Sequence, residues 1–125
     1  MTKARITEND YVLAVPDAEQ SMKFFVDVLG FEHYVVDAKG WCFVRRDNCM
    51  FMLGTCPDAL RVSEIGDHSF VAYIKVDDID ALHSEFLRNG ADFEAPEDKP
   101  WGMREFVIHT PDGHGIKFGM RTNHA

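Results

Sequence analysis

Residues Tyr11–Gly30, "YVLAVPDAEQSMKFFVDVLG", and residues Phe70–Gly90, "FVAYIKVDDIDALHSEFLRNG", follow one pattern, and that repetition decides the fold. Each copy opens on a short run of strand formers, "YVLAV" and then "FVAYIKV" (Phe70–Val76). In the first copy Asp17 caps a helix whose apolar residues Met22, Phe25, Val26 and Leu29 fall at helical spacing, and Gly30 closes it. In the second, Asp77 or Asp78 opens a helix that buries Leu82, Phe86 and Leu87, and Asn89–Gly90 ends it. Gly30 and Gly90 stand 60 residues apart, as do Asp17 and Asp77. The strands align at an offset of 61, Val15 on Val76, with Pro16 as the extra residue.

Three further strand-like runs follow the first helix: "FEHYVV", "WCFVRR" and "CMFMLG", broken by the turn segments "DAKG" and "RDN". That is a βαβββ unit. The second copy ends on Pro100–Met120, "PWGMREFVIHTPDGHGIKFGM", which reads as a loop, a strand, a Thr-Pro-Asp-Gly turn and a strand. A lone βαβββ unit leaves one sheet face uncovered, so two must pair around a cup. The expectation is one α+β domain over residues 1–125 whose two modules form a curved mixed sheet cup, with module one at about 10–54, a polar linker at 55–67 and module two at about 68–120.

The 125 residues are 46% apolar and 12% aromatic, enough for a core. The net charge of −8 argues against nucleic acid or an anionic membrane surface, and it suits a cationic ligand. No apolar run reaches the roughly 18 residues of a membrane span, and "MTKARITEND" is no signal peptide, so a soluble cytoplasmic protein is expected. Cys42, Cys49 and Cys56 form no CxxC pair and read as buried or half-buried thiols. No nucleotide-binding loop or nucleophile elbow is present.

With the repeat, "SMKFFVDVLGFE" and "TPDGHGIKF" resemble the motifs of the vicinal oxygen chelate superfamily, from about Asp10 to Met120. That group includes glyoxalase I, extradiol dioxygenases and bleomycin-resistance proteins. The resemblance implies a homodimer, since the family commonly closes its cups across two chains. It also carries over four metal-ligand positions, which here hold Asp10, Met52, Val71 and Lys117. A Lewis-acid ion wants carboxylate or imidazole; Met52 and Val71 offer neither, and the Lys117 ammonium repels it. The position where the family's enzymes usually have a glutamate holds Lys117, read as an ion-pair partner of Asp10. Among the histidines, His33, His68, His83, His109, His114 and His124, only His109 is expected to face the cup, and His83 is expected in solvent. Asp10 with His109 lacks a third ligand for a shifted site. Neither that pair as acid and base, nor Cys49 or Cys56 beside a histidine, is favoured as catalytic machinery.

Strand alternation gives the lining. Met50, Met52, Val71, Tyr73, Lys75, Val107 and His109 are expected in the cup; Phe51, Leu53, Phe70, Ala72, Ile74, Val76, Phe106 and Ile108 against the helices. "GWCFVRRD" and "KPWGMREF" resemble segments whose aromatics line the drug groove of bleomycin-resistance proteins, here Trp41 and Trp101. The expected ligand-binding set is therefore Trp41, Phe43, Met50, Met52, Tyr73, Trp101, Val107 and His109. Rigid aromatics and adaptable methionines suit a flat or bulky organic molecule. The reading favours a metal-free binder, without cofactor, that sequesters a hydrophobic or cationic molecule such as an antibiotic. Its rivals are a glyoxalase-type lyase or dioxygenase with an altered metal ligand set, and an interaction module whose cup is plugged by Trp41, Phe43 and Met52.

Overall fold

A computed structural model describes residues 3–59, 64 and 69–122, so His68 and His124 lie outside the described residues. The first repeat gives β1 (Tyr11–Val15), α1 (Ala18–Asp27), β2 (Glu32–Tyr34), β3 (Trp41–Arg46) and β4 (Cys49–Thr55). The second gives β5 (Phe70–Lys75), α2 (Ile79–Arg88), β6 (Glu97–Lys99), β7 (Met103–His109) and β8 (Gly115–Arg121). Each repeat builds a four-stranded mixed sheet, in the orders β1-β4-β3-β2 and β5-β8-β7-β6, with its first strand parallel to its last. The α+β architecture of two βαβββ modules is the one the repeat implies.

The helices start as their side chains dictate. Asp17 accepts from the backbone N–H groups of Glu19 and Gln20, and Asp78 from that of Ala81. The second cap is thus Asp78, which restores the 61-residue offset of the strands; the shorter spacing of Gly30 and Gly90 arises after the helices, where Leu29 is inserted. The buried stripe of α2 is Ile79, Leu82, His83 and Phe86, a spacing of three, four and seven. That frame overturns two expectations. Leu87 is on the outer side, 47% exposed, and His83 is buried. The His83 ring meets Phe106 edge-on, and Nε2 lies 2.9 Å from the Phe93 carbonyl, which meets the polar group's need for a partner.

Both modules feed one core. Phe25, Phe31 and Phe51 pack with Leu13, Val44 and Leu53 on one side; Phe86, Phe106 and Phe118 pack with Ile79, Ile108 and Ile116 on the other. Polar contacts bridge the modules. Arg46 donates to both carboxylate oxygens of Glu85 at 2.7 and 2.8 Å and to the Leu29 carbonyl at 2.8 Å. Asn89 donates to the Val28 carbonyl, and Ser21 on α1 donates to Asp112 in the β7–β8 turn. Burial pushes the pKa of His114, in that turn, below its ordinary value, although Asp112 opposes the shift. Of the three thiols Cys42 is buried and Cys49 half-buried, but Cys56 is exposed just after β4, against expectation.

Alternation holds along β5 from Ala72 to Lys75 and fails at its start. A bulge shifts the register between Phe70 and Ala72, so Phe70 pairs with Gly115 and turns to the face away from the core. Val71, expected in the cup, packs against the core instead. A single extra residue reverses the face of everything before it.

Candidate functional site

On each sheet the face away from the core is open among the described residues. Sheet one carries Trp41, Phe43, Met50 and Met52 there, as alternation implies. Phe43 pairs with Met52 across the strands, and the Trp41 and Phe43 rings meet edge-on at 6.2 Å. Sheet two carries Tyr73, Val107, His109 and Lys117, with Trp101 in the turn before β7. Among the described residues no hydrogen bond or ring pair joins the two sets.

What lays the aromatic rings along these faces is glycine. Gly54 is opposite Trp41, and a Cβ there would stand 2.9 Å from the indole. Gly115 is opposite Phe70, and a Cβ there would stand 2.8 Å from Cε1 of the ring. Gly119 lies beneath Tyr73, where a Cβ would come within 2.7 Å of Cζ. Each ring lies where a side chain would otherwise project. The result is a flat aromatic surface on each sheet, with Trp41 40% exposed on sheet one and Phe70 39% and Tyr73 38% exposed on sheet two, where Trp101 in the turn before β7 is 64% exposed. Motif reading missed these glycines and Phe70. The run "GIKFG" does place Gly115 and Gly119 on the same face as Lys117, and only the bulge was hidden.

The second residue that sequence reading missed is Glu105. It shares the parity of Val107 and His109, both read as cup residues, so its position was implicit in the alternation. Its side chain is buried, and Oε2 accepts from the Tyr73 hydroxyl at 2.6 Å and from the Trp101 indole N–H at 2.9 Å. Burial opposes its ionisation, yet those two hydrogen bonds and the charges of Lys117 and Lys99 outweigh it. The carboxyl is held below its ordinary pKa. The same arrangement works the other way on Tyr73. Its burial, with the hydrogen bond to Glu105, pushes the phenol up to about 12.

The four positions carried over as metal ligands do not converge into a donor set. Asp10 is in the loop before β1; its charge adds to the burial that pushes the Cys49 thiol up to about 11. Met52 faces out beside Phe43, and Val71 packs on the core. Lys117 holds its ammonium 4.8 Å from the centre of the Phe70 ring, a cation–π contact, and makes no ion pair with Asp10. His109 also packs against Phe70, with ring centres 5.7 Å apart. Among the described residues no three His, Cys, Asp or Glu side chains are grouped to hold an ion. A thioether, an isopropyl group and an ammonium do not fit a Lewis-acid ion.

No helix among the described residues is long and apolar enough to cross a membrane. Between the modules, a recess of about 90 Å³ is lined by Leu29, Phe31, Ile74, Val76, Phe86 and Phe118. It falls well below the ~300 Å³ of an ordinary small-molecule site.

The chain is similar to several solved structures. A glyoxalase-related enzyme from Clostridium phytofermentans is 22% identical with a TM-score of 0.76, over 94% of this chain and 97% of that one. The bleomycin-binding protein of bleomycin-producing Streptomyces verticillus, complexed with copper(II)-bleomycin, is 27% identical with a TM-score of 0.67, over 98% and 100%. TnmS3, an antibiotic-binding protein from Streptomyces sp. CB03234, is 20% identical with a TM-score of 0.69, over 95% and 100%. Among curated proteins none matches significantly. The sequence profile of one family matches residues 8–118, nearly the whole chain. With two βαβββ modules in place, the chain belongs to the Glyoxalase/Bleomycin resistance protein/Dioxygenase superfamily.

Proposed function

We propose that the chain is a metal-free, cytoplasmic small-molecule binder. It acts as a homodimer and sequesters a hydrophobic or cationic organic ligand, such as an antibiotic, on its open sheet faces. The observation that carries this reading is the set of rings laid over glycines: Trp41 on Gly54, Phe70 on Gly115 and Tyr73 on Gly119. Exposed flat aromatic surface serves no core, and it suits stacking by a planar molecule. The likeness to a bleomycin-binding protein supports the same direction. The rival reading as a metal-dependent lyase or dioxygenase asks Met52, Val71 and Lys117 to serve as ligands, which their chemistry refuses. The plugged-cup reading packs Trp41, Phe43 and Met52 away as core between two chains, and it predicts that no small molecule binds.

A thermal-shift screen against aromatic antibiotics and divalent metals tests the proposal. A ligand at 100 times its Kd should stabilise the protein by about 2.7 kcal/mol. Stabilisation by a metal alone, with about one ion per chain by elemental analysis of the purified protein, would overturn it.

A further inference from the structure

Glu105 has one oxygen that the fold leaves unused. Its carboxylate lies on the open face of sheet two, opposite Gly119, in a residue only 6% exposed. Oε2 takes both donors, Tyr73 and Trp101. Among the described residues no donor reaches Oε1, and no side-chain oxygen or nitrogen there is both sealed and unpartnered, so Oε1 opens onto the face. The charged groups around it do not close it off. Lys117 is drawn over Phe70 and makes no ion pair within 4.0 Å among the described residues, Lys99 is paired with Glu97, and His109 packs on Phe70. An ionised carboxylate held in a largely buried residue, with lone pairs to spare on its open oxygen, is an acceptor only, and it favours a donor that carries charge. The rings beside it, Tyr73 and Trp101, attract a cation through their faces as well.

Resting on the reading of these faces as a ligand site, we propose that Glu105 determines its specificity by selecting planar aromatic ligands that carry a cationic N–H donor. The ring system lies on the glycine-backed aromatics, and the cationic N–H group donates to Oε1. Lys117 is the opposing charge on the same face and weakens the preference.

Three probes with one ring system test this at neutral pH by calorimetry: 9-aminoacridine as the cation, acridine as the neutral ring and acridine-9-carboxylate as the anion. The wild-type protein should bind the cation at least about tenfold more tightly than acridine. Glu105→Gln keeps an acceptor for Tyr73 and Trp101 but not the charge. It should bring the ratio within about threefold while acridine affinity stays within about threefold. Lys117→Met should raise the ratio, the opposite sign. Should Glu105→Gln fail to fold, the wild-type ratio and its rise in Lys117→Met still decide. Equal binding of cation and acridine, tighter binding of the carboxylate, or an unchanged ratio in Glu105→Gln would remove the role of Glu105 and leave the face as a site. Failure of all three probes to bind would remove the site as well.

Discussion

Trp101 and Glu105 hold each other, and the two side chains make separable predictions. Trp101 is 64% exposed in a turn, so its stabilising contact is mainly the indole N–H bond to Oε2. Trp101→Ala should therefore destabilise the protein by only about 1 kcal/mol, a few degrees in melting temperature. It should weaken any ligand found in the screen by about 2 kcal/mol or more, the scale of an aromatic hot spot. A variant that unfolds would mark Trp101 as core. For Glu105 the sign follows from linkage. Its folded pKa lies below the unfolded value, so the unfolded chain binds more protons between the two and stability rises with pH in that window. The contribution is complete above the unfolded value of about 4.3 and is lost as the pH falls through the lower folded value. Melting temperatures of wild type and Glu105→Gln should differ most near neutrality and converge in acid. A gap that widens in acid would contradict the bonding described.

At the scale of the elements, patterning carries the reading as far as backbone regularity lasts. The strand-helix repeat was legible because two caps and two closing glycines recur at nearly one spacing, and the lining of β4 followed from period-two alternation in "CMFMLG". The misreadings arise where regularity breaks. The bulge at Phe70–Ala72 depends on pairing with β8, which local sequence does not encode, and it exchanged the faces of Phe70 and Val71. The His83 frame is settled by Phe106 and the Phe93 carbonyl, partners from other elements. "FEHYVV" reads as a full strand, yet only Glu32–Tyr34 pairs, on an exposed edge. The contact between modules was equally hidden: Arg46 ends β3 and Glu85 is on α2, with side chains 31% and 29% exposed. Because the pair is bidentate and Arg46 also satisfies the Leu29 carbonyl at the end of α1, Arg46→Ala should cost about 2 kcal/mol in denaturant unfolding. Arg46→Lys should recover little, since an ammonium lacks the planar fork. Full rescue by lysine would show a simple charge attraction instead.

For the whole molecule, the arrangement of the modules sets what one chain can do alone. Both helix-covered faces pack into one core, so the two aromatic faces of a chain are turned away from it, one bearing Trp41 and the other Trp101. A cup that holds both tryptophans then needs sheet one from one chain and sheet two from another, and a two-fold dimer supplies two such cups. Sedimentation should accordingly show a dimer, and a monomer at micromolar concentration would count against it. Complementation gives the sharper test. Homodimers of Trp41→Ala and of Trp101→Ala each have both cups damaged. After subunit exchange in an equal mixture, half of the dimers are mixed, and each mixed dimer has one cup with both tryptophans and one with neither. About a quarter of the wild-type sites should then return at full affinity. If each chain closed its own cup, mixing would restore nothing, so recovery of tight sites in the mixture, by titration with a ligand from the screen, decides between the two assemblies.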